Sequence, residues 1–126
     1  MIAVIFELEP RAGYEDRYFS LAADLKPVLE TVEGFISVER FQSLNAPGRY
    51  LSLSFWEDEA AVQRWRNQEA HRGAQRAGRE SIFAHYRLRV AHVMRDYGLT
   101  EREQAPSDSR SFHVMPFHAM KRQAKT

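Results

Sequence analysis

Trp65 and His71 stand six positions apart, with Gln75 one helical turn further on and Arg66, Arg72, Arg76 and Arg79 around them. These types could do chemistry. A neutral imidazole can move a proton near neutral pH or bind iron through a ring nitrogen. An indole can wall a pocket over a flat aromatic ligand. Gln75 could hold His71 or a substrate oxygen by hydrogen bond, and the arginines, Arg79 among them, could meet an acidic group. Each has a plainer reading beside it. His71 could be a half-buried helix histidine, Trp65 a core anchor, Gln75 a surface residue and the arginines a solvated basic face.

Other chemistry is excluded or unsupported. The chain has no cysteine, which removes disulfides, thiolate catalysis and thiolate metal sites. His85 and His92 fall on opposite faces of one extended segment, and His113 and His118 lie in a stretch without periodicity. No metal site is expected, and His92 reads as a core histidine. A net charge of +1 gives no field for nucleic acid or a membrane surface. No apolar run approaches the roughly 20 residues of a membrane helix. The first nine residues are apolar but carry acidic positions and no basic start, so they read as a strand rather than a signal, and the protein is expected in the cytoplasm.

The elements that must position these residues follow from periodicity. Ile2, Val4, Phe6 and Leu8 alternate with Ala3, Ile5, Glu7 and Glu9, which is a strand with both faces apolar at its start. Tyr14, Tyr18, Leu21, Leu25 and Leu29 make one helical stripe, with Pro27 expected to kink it near Leu25–Lys26. Strands are expected at 35–44 and 50–56, joined by the Asn45-Ala46-Pro47-Gly48 turn. Phe35 and Phe41 fall on one face of the first, Ile36, Val38 and Leu44 on the other. Asp58 is placed to cap a helix carrying Ala61, Val62 and Trp65, with a break expected at Asn67–Glu69 before a second piece at 71–80. A long strand at 82–95 closes the domain, and Gly98 ends it. The order βαββαβ predicts an α+β, ferredoxin-like fold with a four-stranded antiparallel sheet. Residues 1–98 form the domain, and 99–126 read as a flexible or partner-contacting tail.

Trp65, His71, Gln75, Gly78–Arg79, Tyr86 and Arg95–Gly98 occur together in one order, behind the hairpin GFISVERFQS…RYLSLSFW. This pattern resembles the antibiotic biosynthesis monooxygenase (ABM) superfamily over residues 1–98. The resemblance implies a dimeric α+β barrel, in which two ferredoxin-like sheets pack face to face as a homodimer. It implies a monooxygenase acting on an aromatic or tetrapyrrole substrate, either without cofactor or on haem, which would then be substrate and cofactor together. The haem-degrading branch uses an Asn on the first strand and a His about ten residues after the Trp. Here those places hold Phe6 or Glu7 and Gln75, while His71 comes earlier. On a continuous helix Trp65 and His71 would point about 120° apart.

These readings place a pocket between helices and sheet. Phe6, Phe35, Phe55 and Tyr86 line it with Trp65; His71 sits at its polar end, and Gln75 and Arg79 lie nearby. Trp65 and His71 are the candidate catalytic residues. The alternative is a non-enzymatic small-ligand-binding or stress-related protein on the same fold. Ile5, Ile36, Val38, Phe83 and Val93 are expected on the face left for a partner, with Arg87, Arg89 and Arg95 able to pair with Glu7, Glu9 and Glu39.

Overall fold

The computed structural model describes residues 1–70 and 81–110, apart from the side chains of 69, 70 and 110. His71, Gln75 and Arg79, with Arg72, Arg76, His113 and His118, lie outside the described residues. The chain divides into two units, Met1–His92 and Val93–Thr126. Among the described residues no helix is long and apolar enough to cross a membrane.

The first unit is the expected α+β domain. Strand β1 (Ile2–Pro10) is followed by helix α1 (Glu15–Glu30), strands β2 (Phe35–Gln42) and β3 (Tyr50–Trp56), helix α2 (Glu59–Ala70) and strand β4 (Phe83–His92). The four strands pair antiparallel in the order β2-β3-β1-β4, which puts β1 in the interior and leaves β2 and β4 as edges. Strand β4 ends at His92, shorter than the periodicity suggested, because its pairing with β1 stops at Ile2.

Helix α1 runs unbroken through Pro27. The proline removes one backbone donor three residues before the helix ends, and its ring is exposed, so the helix is not interrupted there. Helix α2 likewise continues through Asn67–Glu69. Asp58 caps it: its carboxylate accepts the Ala61 backbone N–H at 2.9 Å.

Helices α1 and α2 cover the face carrying Ile2, Val4, Phe6 and Leu8, which β3 continues with Trp56, Ser54, Ser52 and Tyr50. Two register shifts change which residues join it. An extra residue at Ile36 puts Phe35 beside Trp56 on the covered face, sends Val38 there too, and leaves Phe41 on the opposite face beside Leu51. A second shift, between Glu9 and Pro10, turns Phe83 inward, where its ring meets Phe6 at 5.6 Å. Phe35 and Phe41 therefore do not share a face, and Val38 and Phe83 do not belong to the open one.

The open face carries Ala3, Ile5, Leu51, Leu53, Phe55 and Phe41. Glu7 meets Arg89 at 2.9 Å and Glu9 meets Arg49 at 3.2 Å along its end, both exposed pairs of small energetic weight. In the second unit, Arg102 donates to the carbonyls of Gly98 and Ser109 and lies over the Tyr97 ring, ahead of a short helix α3 (Ser107–Arg110).

Candidate functional site

The buried apolar residues of the covered face fall into two clusters, one at each end, with a gap between them where apolar side chains are at most half-buried. At one end Ile2, Val32, Trp56 and Ala61 form a buried cluster, with Val4, Leu29, Phe35, Val62 and Trp65 against it. At the other, Leu8, Tyr18 and Ile82 form a second, with Phe6, Tyr14, Leu21, Tyr50 and Phe83 around them. Leu25 of α1 is half-buried and sits a turn from members of both, yet joins neither. On the sheet Val38 and Ser52 are also half-buried and in neither cluster, and Leu88 and Val90 of β4 remain 53% and 48% exposed on this same face.

Sequence explains the gap. Strand β3 presents Tyr50 and Trp56 at the ends of its covered face and two serines between them. Small side chains leave volume above the sheet that large ones would fill. Ser54 is tied down, since its hydroxyl accepts the Trp56 indole N–H at 2.9 Å. The Ser52 hydroxyl has no hydrogen-bond partner among the described residues.

Aromatic edges wall one side of the gap. The Phe6 ring lies 5.7 Å from Tyr86 in an edge-on arrangement, and Tyr86 lies 5.9 Å from Phe83. Phe6 and Tyr86 thus come together as expected. Phe35 lies instead in the far cluster, 5.3 Å from Trp56. Phe55 is on the opposite face altogether, because it pairs with Ala3 and strand alternation turns it away from Trp56. It cannot line this site. Trp65 is half-buried against the Ile2–Trp56 cluster, a packing position at the margin of the gap.

Two polar residues of the described covered face were not anticipated, Tyr18 and the exposed Arg40. Burial raises the Tyr18 phenol above its ordinary pKa of 10.0, and the positive charge of Arg40 offsets part of that shift. Arg40 lies on the covered face opposite Ser52. Neither residue stood out in the sequence: Tyr18 belongs to a helical stripe that reads as core, and the covered face of Arg40 follows from the bulge at Ile36. His92, taken as a core histidine, is exposed at the rim, beside a recess of about 600 Å³ edged by Met1, Glu57, Asp58 and Glu59. No cluster of three or more potential metal ligands occurs among the described residues.

The chain matches the antibiotic biosynthesis monooxygenase family over residues 1–77. It belongs to that family. It is 45% identical over 93 residues to "Jasmonate monooxygenase ABM" of Pyricularia oryzae, a match covering 74% of this chain and 43% of that protein. The chain thus spans under half the length of that relative. Among solved structures, Rv0793 from Mycobacterium tuberculosis superposes with a TM-score of 0.68 at 16% identity, covering 77% of this chain and 98% of that one. A MhuD mutant with manganese protoporphyrin IX in its active site superposes with a TM-score of 0.62 at 24% identity, covering 78% and 99%. These two likenesses establish the ferredoxin-like ABM fold.

Proposed function

We propose that this ABM protein is a monooxygenase acting on a small, largely apolar substrate held in the gap between the two packed clusters. The observation that carries the reading is the aromatic edge of Phe6 and Tyr86, beside the gap between the two buried clusters on the covered face of an ABM domain. A space of this kind supplies what a cofactor-independent oxygenation asks of a protein, an apolar enclosure with a few polar groups for orientation. The substrate's own electrons do the reduction. A deprotonated, activated CH₂ group gives electrons to O₂; one oxygen atom becomes the new carbonyl and the other leaves as water. Phe6 and Tyr86 would contact the substrate's flat or cyclic part, with Trp65 at the margin. His71, Gln75 and Arg79 remain the proposed polar contributors from 71–80. The name of the relative at 45% identity points to jasmonate, a cyclic ketone, which supports the reading.

Haem fits the described residues poorly. The first strand offers Phe6 and Glu7 where an asparagine would be needed, and the aromatic edge of the gap holds no imidazole. The covered-face histidine among the described residues, His92, stands at the rim beside three acidic side chains.

A homodimer accompanies the proposal. Ile5, Leu51, Leu53 and Phe55 form an apolar strip on the open face, with Phe41 42% exposed beside them. Covering such side chains is worth roughly 1.5–3 kcal/mol each when complete.

An oxygen electrode tests the function, with anthrone and jasmonate as substrates and mass spectrometry of the products in ¹⁸O₂. Catalysed uptake with one labelled oxygen per product is expected. Binding of both compounds without uptake would instead support the non-enzymatic ligand-binding reading. A hemin titration run in parallel, in native protein and His71→Ala, would revive haem if a His71-dependent Soret shift appeared.

A further inference from the structure

We propose that Leu88 and Val90 of β4 form a specificity-determining floor beside the gap. It takes an elongated apolar substrate, a ring bearing an aliphatic chain, with the chain laid along β4 and no negative charge at its far end. The inference rests on the gap being the substrate site and adds the shape and end-group class of the substrate.

Strand pairing builds the floor. On the covered face Leu8 stands directly opposite Tyr86, Phe6 opposite Leu88 and Val4 opposite Val90. Side chains paired in this way start about 5 Å apart at Cβ, so these pairs make one continuous apolar platform. Its β1 half is buried or half-buried, whereas Tyr86, Leu88 and Val90 are 55%, 53% and 48% exposed and belong to neither buried cluster. An exposed apolar patch that is contiguous rather than scattered marks a binding surface. One end of the platform is the aromatic edge, where the Phe6 and Tyr86 rings lie 5.7 Å apart. The other end opens into the recess of about 600 Å³, which Val90 lines with His92, Glu57, Asp58 and Glu59.

The occupant is a small molecule. Helix α1 packs chiefly on β2 and helix α2 on β3, which leaves the β4 side of the face with the least cover. The segment 71–80, which joins α2 to β4 along the chain, has no apolar side chain larger than alanine, so it offers no core residue to seal Leu88. A recess of about 600 Å³ is of the size that small ligands fill. The platform also continues the aromatic edge that meets the substrate's ring. From Tyr86 to Val90 the strand rises about 13 Å, room for a ring and a chain of about five carbons. Three carboxylates line the recess at the far end and outnumber the nitrogen bases there, His92 and the Met1 amine. A negatively charged end group would be repelled by them.

Cyclopentanones bearing a methyl, a propyl or a pentyl chain test this, together with the pentyl compound ending in a carboxylate and the methyl ester of that acid. Binding to the full chain is measured by isothermal titration calorimetry at neutral pH and low salt. Each added methylene should tighten binding about two- to fourfold, and the ester should bind about threefold or more tightly than the acid. Leu88→Ala combined with Val90→Ala should flatten the chain-length series to within about twofold. Melting curves confirm that the variant is folded. The chain has no cysteine, so Leu88→Cys sets a single thiol on the floor. Iodoacetamide should modify it readily, and saturating pentyl compound should slow the reaction about tenfold or more. A flat series in the native protein, a series that survives the double substitution, an acid bound as tightly as its ester, or no binding at millimolar concentration overturns the inference. So does a thiol shielded without ligand: at every protein concentration the chain itself would be the cover, and only at high concentration a second copy would be. Oxygen uptake on anthrone and jasmonate separates the floor from the proposed function. Uptake beside a flat series leaves the monooxygenase standing without this floor, and length-dependent binding without uptake does the reverse.

Discussion

Ser54 and Ser52 lie two positions apart on one strand face, yet their circumstances differ. The Ser54 hydroxyl is the acceptor for a nearly inaccessible Trp56 indole N–H. Ser54→Ala leaves that donor buried and unpaired, so urea unfolding should show a loss of about 1–3 kcal/mol. Ser52→Ala, which breaks no such bond, should stay within about 0.5 kcal/mol of the native protein. A comparable loss in both would mean that the indole bond does not set the cost. Tyr18 gives a second prediction at this scale. Its folded pKa lies above the unfolded value near 10.0. Above that value the unfolded chain holds fewer protons than the folded one, so stability falls as pH rises. The stabilisation is whole below pH 10 and disappears as pH climbs through the folded value. Tyr18→Phe lacks this term, so its melting temperature should fall less steeply than the native one above pH 10. Parallel curves would contradict the shift.

At the scale of elements, the link between α1 and β2 is held by Gly34. Its φ of +91° lies where side chains are disfavoured, and its carbonyl accepts the Glu57 N–H at 2.8 Å, just ahead of α2. A Cβ there would stand 2.6 Å from the Cβ of Ala61, itself fully buried, so neither can yield without shifting α2. Gly13 has a similar φ of +84° with open space around it. Gly13→Ala should cost about 1–2 kcal/mol from backbone strain alone. Gly34→Ala should cost distinctly more, and thermal melts of the two variants measure the difference. Similar melting temperatures would show that α2 moves aside freely.

For the whole molecule the decisive question is what covers the second face of the sheet. Ile5 and Leu53 are directly paired at its centre. Native protein at micromolar concentration should sediment as a dimer, and Leu53→Glu should shift it to monomer with a lower melting point, since it places an unpaired charge in the contact. A native monomer would refute the partner. At the same scale, an exposed His92 and the solvent-facing Leu88 and Val90 show that β4 is far less enclosed than its apolar alternation suggests.

Local chemistry was legible in the sequence because it depends on neighbours along the chain. Alternation in Ile2–Leu8, the stripe from Tyr14 to Leu29 and the Asp58 cap each follow from residues a few positions apart; the order of elements was enough for the fold, and the motif running from Trp65 to Gly98 for the family. Strand faces past a bulge were not legible. One extra residue at Ile36 reverses every later side chain of β2, and the shift near Pro10 turns Phe83 inward. Both are set by pairing with a distant strand, so Phe41, Val38 and Phe83 were misassigned from alternation alone. Phe55 needed no bulge to be misplaced; its partner Ala3 decides its face. The division of the core into two clusters depends on helices and sheet converging. Only the folded sheet, with α1 laid across it, sets the Ile2–Trp56 cluster apart from the Leu8–Tyr18 cluster.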